Sequence, residues 1–164
     1  MTAGASAWER VQRFIGKESL LLDTRQWDQW LELYAGDCEY WIPSWRTDGT
    51  LVKDPRNELS LIYYPNRVGL EGRVFRIRTG KASSAAPAPR TAHVSQLLEL
   101  TEEDARFHAR TSWTVSSVAE NRVATHFGHA TYVLEARDET FAIKSKTTVI
   151  ANDMIHEVLD FYNV

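Results

Sequence analysis

Cysteine is almost missing from this chain: Cys38 is alone among 164 residues. One thiol excludes an intrachain disulfide, and it excludes iron–sulfur or zinc sites built on paired cysteines within the chain. A Rieske centre in particular needs two cysteines and two histidines. Long apolar runs are also missing. None approaches the roughly 18–20 residues of a membrane span, and Met1 to Ala7 lacks the charged and apolar regions of a signal peptide. The expectation is a cytoplasmic protein with no membrane partner, in keeping with the scarcity of thiols. There is no internal repeat, and the only biased tract is the short Ala/Pro connector at Ala82–Pro89.

The catalytic signatures are missing too. Gly80-Lys81 carries part of a phosphate loop, but Phe75 stands where the first glycine belongs, and Ala82 where the magnesium-ligating hydroxyl belongs. No serine sits in a Gly-x-Ser-x-Gly elbow. Acidic neighbours Asp37 and Glu39 oppose thiolate formation at Cys38, so it reads as a packed residue. His126 and His129 lie three apart in an expected strand and so point to opposite faces, while His93, His108 and His156 belong to separate segments. No metal site follows from that spacing.

What is present is enough apolar material for a core, 43% of the residues, with 25% charged and a net charge of −3. The charge is unevenly spread. Asn66 to Arg90 carries Arg67, Arg73, Arg76, Arg78, Lys81 and Arg90 against Glu71, which is +5 and leaves −8 elsewhere. A nucleic-acid module would need a continuous basic face, and the acidic balance of the whole speaks against one. Tyr, Trp and Arg are also the residues of protein interfaces. Trp45, Tyr63, Tyr64, Arg67, Glu71, Arg73, Arg76, Arg78 and Arg90 are therefore the interface candidates, with internal ion pairing as the competing explanation.

Trp8, Val11, Ile15 and Leu22, widened by Phe14 and Leu21, follow helical spacing over 8–22. A second helix with Trp27, Trp30, Leu31 and Tyr34 would be capped by Thr24 and ended by Gly36. Cys38 to Trp45 reads as a strand bent at Pro43, residues 46–60 as a loop, and Leu61 to Lys81 as a stretch with a helix near Gly69–Arg78. From Arg90 the period becomes two, clearest where Phe107, Ala109, Thr111, Trp113 and Val115 alternate with polar residues. Helices before strands give α+β: one domain over 1–164, helices at about 7–35 and 66–80, and a main, curved, antiparallel sheet at about 90–152.

Leu59-Ser-Leu-Ile-Tyr-Tyr-Pro-Asn-Arg67, Gly69-Leu-Glu71, Arg73-Val-Phe-Arg-Ile-Arg-Thr-Gly80 and Pro89-Arg-Thr-Ala-His93 resemble the small (beta) subunit of aromatic-ring-hydroxylating dioxygenases. The likeness is to the benzoate and anthranilate 1,2-dioxygenase group, and Tyr40-Trp-Ile-Pro43 and Leu159-Asp-Phe-Tyr162 extend it over nearly the whole chain. The resemblance implies a cone-shaped fold of the nuclear-transport-factor-2-like type. It implies a structural subunit with no catalytic residue, cofactor or metal of its own. Three such subunits would form a trimer beneath three catalytic alpha subunits, which hold a Rieske [2Fe-2S] cluster and a mononuclear iron, and a reductase would supply electrons from NADH. The alternative is a free-standing dehydratase- or isomerase-like enzyme of the same cone fold, with an acid/base trio such as His93, Asp28 and Tyr40 in its cavity.

Overall fold

A computed structural model describes residues 5–81 and 89–164. The first helix, α1, spans Ala7–Asp23 and opens with a capping box: the Ser6 hydroxyl accepts from the Glu9 amide while Glu9 accepts from the Ser6 amide. Val11, Phe14, Ile15, Leu21 and Leu22 form its buried stripe. Thr24 closes this helix instead of capping the next, with its amide and hydroxyl both bonded to the Leu20 carbonyl at 2.9 and 2.7 Å. Arg25, at φ 56°, turns the chain into α2, Trp27–Glu32. That helix ends four residues before Gly36, because the Leu33 carbonyl already accepts the Ile143 amide at 2.8 Å. Extended pairing begins at Tyr34, and Gly36 lies inside β1, Tyr34–Pro43.

The loop that follows leads to β2, Ser60–Tyr64, which the helical reading of that stretch did not separate, and then to α3, Arg67–Arg78, capped by the Asn66 side chain. β2 was hidden because five residues carry too little periodicity; it exists through pairing with β1, Tyr40 opposite Tyr64 and Ile42 opposite Ile62. The connector read at Ala82–Pro89 falls almost wholly outside the described residues. Four long strands complete the sheet: β3 Arg90–Glu103, β4 Arg106–Ala119, β5 Arg122–Arg137 and β6 Thr140–Ile150. A short helical turn, Phe161–Asn163, follows them.

The sheet order is β2-β1-β6-β5-β4-β3. Every neighbouring pair is antiparallel except β1 and β6, which are parallel. The hairpins β3–β4 and β4–β5 turn on two residues each, Asp104-Ala105 and Glu120-Asn121, all at positive φ as the strand twist requires. At Gly128 a side chain is impossible: a Cβ would lie 1.9 Å from the Val149 carbonyl oxygen of β6. The helices cover one face, with Gln12 of α1 bonding both the Ser95 carbonyl and the Leu97 amide of β3. Between them lies a core rich in aromatic rings. Trp30 stacks on Phe161 at 4.4 Å and meets Tyr34 edge-on at 4.9 Å, while Trp27 meets Phe161 at 5.4 Å.

Candidate functional site: the sheet interior and the outer face of α3

The helix-covered side of the sheet is where an acid/base site would have to be. Its centre is Glu18, fully buried on the inner stripe of α1. Lys146 of β6 donates to Oε1 at 2.9 Å, Tyr34 to Oε1 at 2.5 Å and Tyr132 to Oε2 at 2.9 Å. The ammonium also lies 5.2 Å from the centroid of the Tyr132 ring. Burial by itself would raise the Glu18 pKa. The Lys146 charge and the three hydrogen bonds outweigh it and hold the carboxyl below its ordinary value. Burial first, and the Glu18 charge second, push the phenols of Tyr34, Tyr40 and Tyr132 well above theirs. All three donors to the carboxylate come from the fold itself.

A second internal pair joins α1 to β3. His93 Nδ1 lies 2.5 Å from Asp23 Oδ1, the His93 amide donates to Oδ2 at 3.0 Å and the Thr91 hydroxyl donates to Oδ1 at 2.8 Å. Burial raises the Asp23 pKa, but the side-chain and backbone bonds from His93 lower it by more. The trio His93, Asp28 and Tyr40 is not assembled. His93 has Asp23 as its carboxylate, Asp28 is exposed and pairs with Arg78 at 2.8 Å, and Tyr40 is packed in the core. The interior space beside His93 is about 10 Å³, bounded also by Glu18, Trp113, Tyr132, Lys146 and Thr148. That is about the room one water takes.

Both depressed carboxylates lend stability that is complete above their unfolded pKa values and is lost as pH falls through the lower folded ones. The urea midpoint should therefore fall steadily as pH is lowered from about 5 to about 3, and Glu18→Gln should shrink that fall. A midpoint level across this interval would overturn the assignment.

Cys38 is fully buried. Its pKa is pushed up to about 11, by burial first, with Arg67 opposing and Asp37 adding. Burial, more than acidic neighbours, keeps it inert. His126 and His129 do face opposite sides: His126 is buried, with Nδ1 2.8 Å from the Asn163 carbonyl and Nε2 3.1 Å from Glu157, while His129 is exposed. Among the described residues no three His, Cys, Asp or Glu side chains are grouped to hold a metal ion.

The nine surface candidates divide. Arg67 pairs with Glu71 at 2.8 Å and also donates to the Tyr34 carbonyl; Arg73 reaches the buried Asp160 at 2.6 Å, and Arg78 reaches Asp28. Tyr63 donates to Glu39, Tyr64 packs against Gly69, and Trp45 donates to the Ile150 carbonyl. Arg76, Lys81 and Arg90 are exposed and form no ion pair among the described residues. Half the cations of the +5 stretch thus serve the fold itself, and half face outward.

Sequence reading missed what lies between the outward cations. Leu70 and Val74 of α3 are buried, yet Val68 and Phe75 on its other side are 68% and 62% exposed. Leu59 and Leu61, at the edge strand just before, are 87% and 42% exposed. A helix with apolar residues on both sides has no reason to be stable alone in water. The signal was available as the i, i+7 pair Val68 and Phe75, which falls outside the Leu70/Val74 stripe.

Comparison with known proteins gives a consistent answer. The profile of the family described as "Ring hydroxylating beta subunit" matches residues 17–157. The anthranilate 1,2-dioxygenase small subunit of Acinetobacter baylyi is 44% identical over 155 residues, covering 94% of this chain and 95% of that one. Among solved structures, the beta subunit of benzoate 1,2-dioxygenase from Burkholderia mallei superposes with a TM-score of 0.77 at 32% identity, covering 99% and 100% of the two chains. An NTF2-like protein of Novosphingobium aromaticivorans shares the fold alone, at a TM-score of 0.62 and 13% identity over 93% of this chain and 88% of that one.

Proposed function

The chain belongs to the family of ring-hydroxylating dioxygenase beta subunits, and from that membership we propose that it is the non-catalytic scaffold of an enzyme that dioxygenates a single-ring aromatic carboxylate. The partner is a catalytic alpha subunit that holds the Rieske [2Fe-2S] cluster and the mononuclear iron. A reductase feeds it electrons from NADH, and the assembly is an alpha3beta3 hexamer in the cytoplasm. One cysteine cannot supply the ligands of a Rieske cluster, so the redox chemistry belongs to the partner. Substrate choice belongs there as well, since the interior of this chain is packed around its own ion pair.

The observation that carries the reading is the outer face of α3. Val68, Phe75 and Arg76 point outward from the stretch that carries the family resemblance, close in sequence to the exposed Leu59 and Leu61, and a covering partner explains all five together. Self-association uses the far side of the sheet in this account. There Val94, Thr114 and Phe127 form one exposed row across β3, β4 and β5, with Val123 74% exposed nearby.

Co-expression of the tagged chain with its alpha subunit tests the function. An iron-containing, larger protein should co-purify in equal stoichiometry, and ring dioxygenation should require both chains plus reductase. Recovery of this chain as a monomer in the presence of the alpha subunit, or activity from the alpha subunit alone at full rate, would sink the proposal.

A further inference from the structure

Three buried polar atoms around the small interior space have no hydrogen-bond partner among the described residues: His93 Nε2, Trp113 Nε1 and Thr148 Oγ1. The His93 side chain is 5% exposed, Trp113 6% and Thr148 1%. Folded proteins rarely leave one such group unsatisfied, and here three line one space. They reach it from neighbouring inward rows of the sheet: His93 opposite Val115, Trp113 opposite Ser95, and Thr148 opposite Ala130.

The chemistry of the three atoms selects the occupant. Asp23 faces Nδ1 of His93, so Nδ1 carries a proton and Nε2 accepts in the neutral ring and donates in the charged one. The indole Nε1 of Trp113 only donates, and the Thr148 hydroxyl does either. A matching ligand must accept from Trp113 and meet His93 Nε2 as either donor or acceptor. Ammonium only donates, so it does not fit. The volume of about 10 Å³ limits the ligand to the size of one water. We propose that this space is a binding site for a single buried water that accepts from Trp113, hydrogen-bonds Nε2 of His93 and exchanges a hydrogen bond with Thr148. Three partners are the usual number for such a water. It ties α1, through Asp23 and His93, to β4 and β6, and completes the interior as a hydrogen-bonded solid.

A crystal structure of the full chain at better than about 2 Å decides the matter. One spherical peak should lie about 2.7–3.2 Å from all three atoms. A crystal soaked in bromide should show no anomalous peak there. In Thr148→Val and Trp113→Phe, which leave the sheet backbone in place, the peak should weaken or vanish. Absence of the peak in the parent protein, elongated density from a larger molecule, or an anomalous signal from bromide would each overturn the assignment.

Discussion

Replacing Lys146 with methionine lowers the unfolding free energy by about 3–5 kcal/mol, because it strands the buried Glu18 carboxylate without a countercharge. For a chain of 164 residues that corresponds to a fall in Tm of roughly 10 °C. The two tyrosine hydroxyls that remain on Glu18 soften the loss without supplying the missing charge. Removing both charges at once, as Glu18→Leu with Lys146→Met, recovers part of the stability: the apolar pair costs no desolvation, but the buried Tyr34 and Tyr132 hydroxyls lose their acceptor. Urea denaturation of the two variants beside the parent measures both. A single variant within about 1 kcal/mol of the parent would show that Glu18 is solvated or neutral.

Phe75→Asp gives the largest effect on assembly. Its side chain lies on the outer face of α3, so the monomer fold and its circular dichroism are unchanged. If the alpha subunit covers this face as proposed, a charge at its centre costs at least about 2 kcal/mol, a drop in affinity of roughly 30-fold or more. The variant should therefore fail to co-purify the alpha subunit, and the dioxygenase activity should disappear with it. Val94→Asp, on the far side of the sheet, should keep alpha binding and lose self-association. Normal capture of the alpha subunit by Phe75→Asp places the interface elsewhere.

Strands β3 to β6 were legible because each is long and has one buried face, so alternation survives over ten residues or more. α1 was legible through its apolar stripe. The second helix was legible but its ends were not, since six residues held by neighbours distant in sequence stop at Glu32; β2, five residues long, was missed altogether. The hairpins carry no glycine at their positive-φ positions, which removes the strongest local turn signal. The central ion pair had left a trace: Glu18 falls on the apolar stripe between Val11, Ile15 and Leu22, and Lys146 shares the inward parity of Thr148 and Ile150. Charges at core positions of two elements are a pairing clue that neither segment states alone. Arg73 with Asp160, and His93 with Asp23, are 87 and 70 residues apart, and only tertiary structure brings them together.

The parallel pairing of β1 with β6 imposes an order on synthesis. β1 is made early, but its place in the sheet lies between β2 and the last long strand. The edge formed by β2 and α3 rests on β1, so it gains full support only after Ile150 has been made. The outer face of β2 and α3 is encoded in the first half of the chain and completed by the second. If the alpha subunit docks there as proposed, a chain that stops short of β6 offers it nothing stable to hold, and assembly selects for subunits whose last long strand has been made.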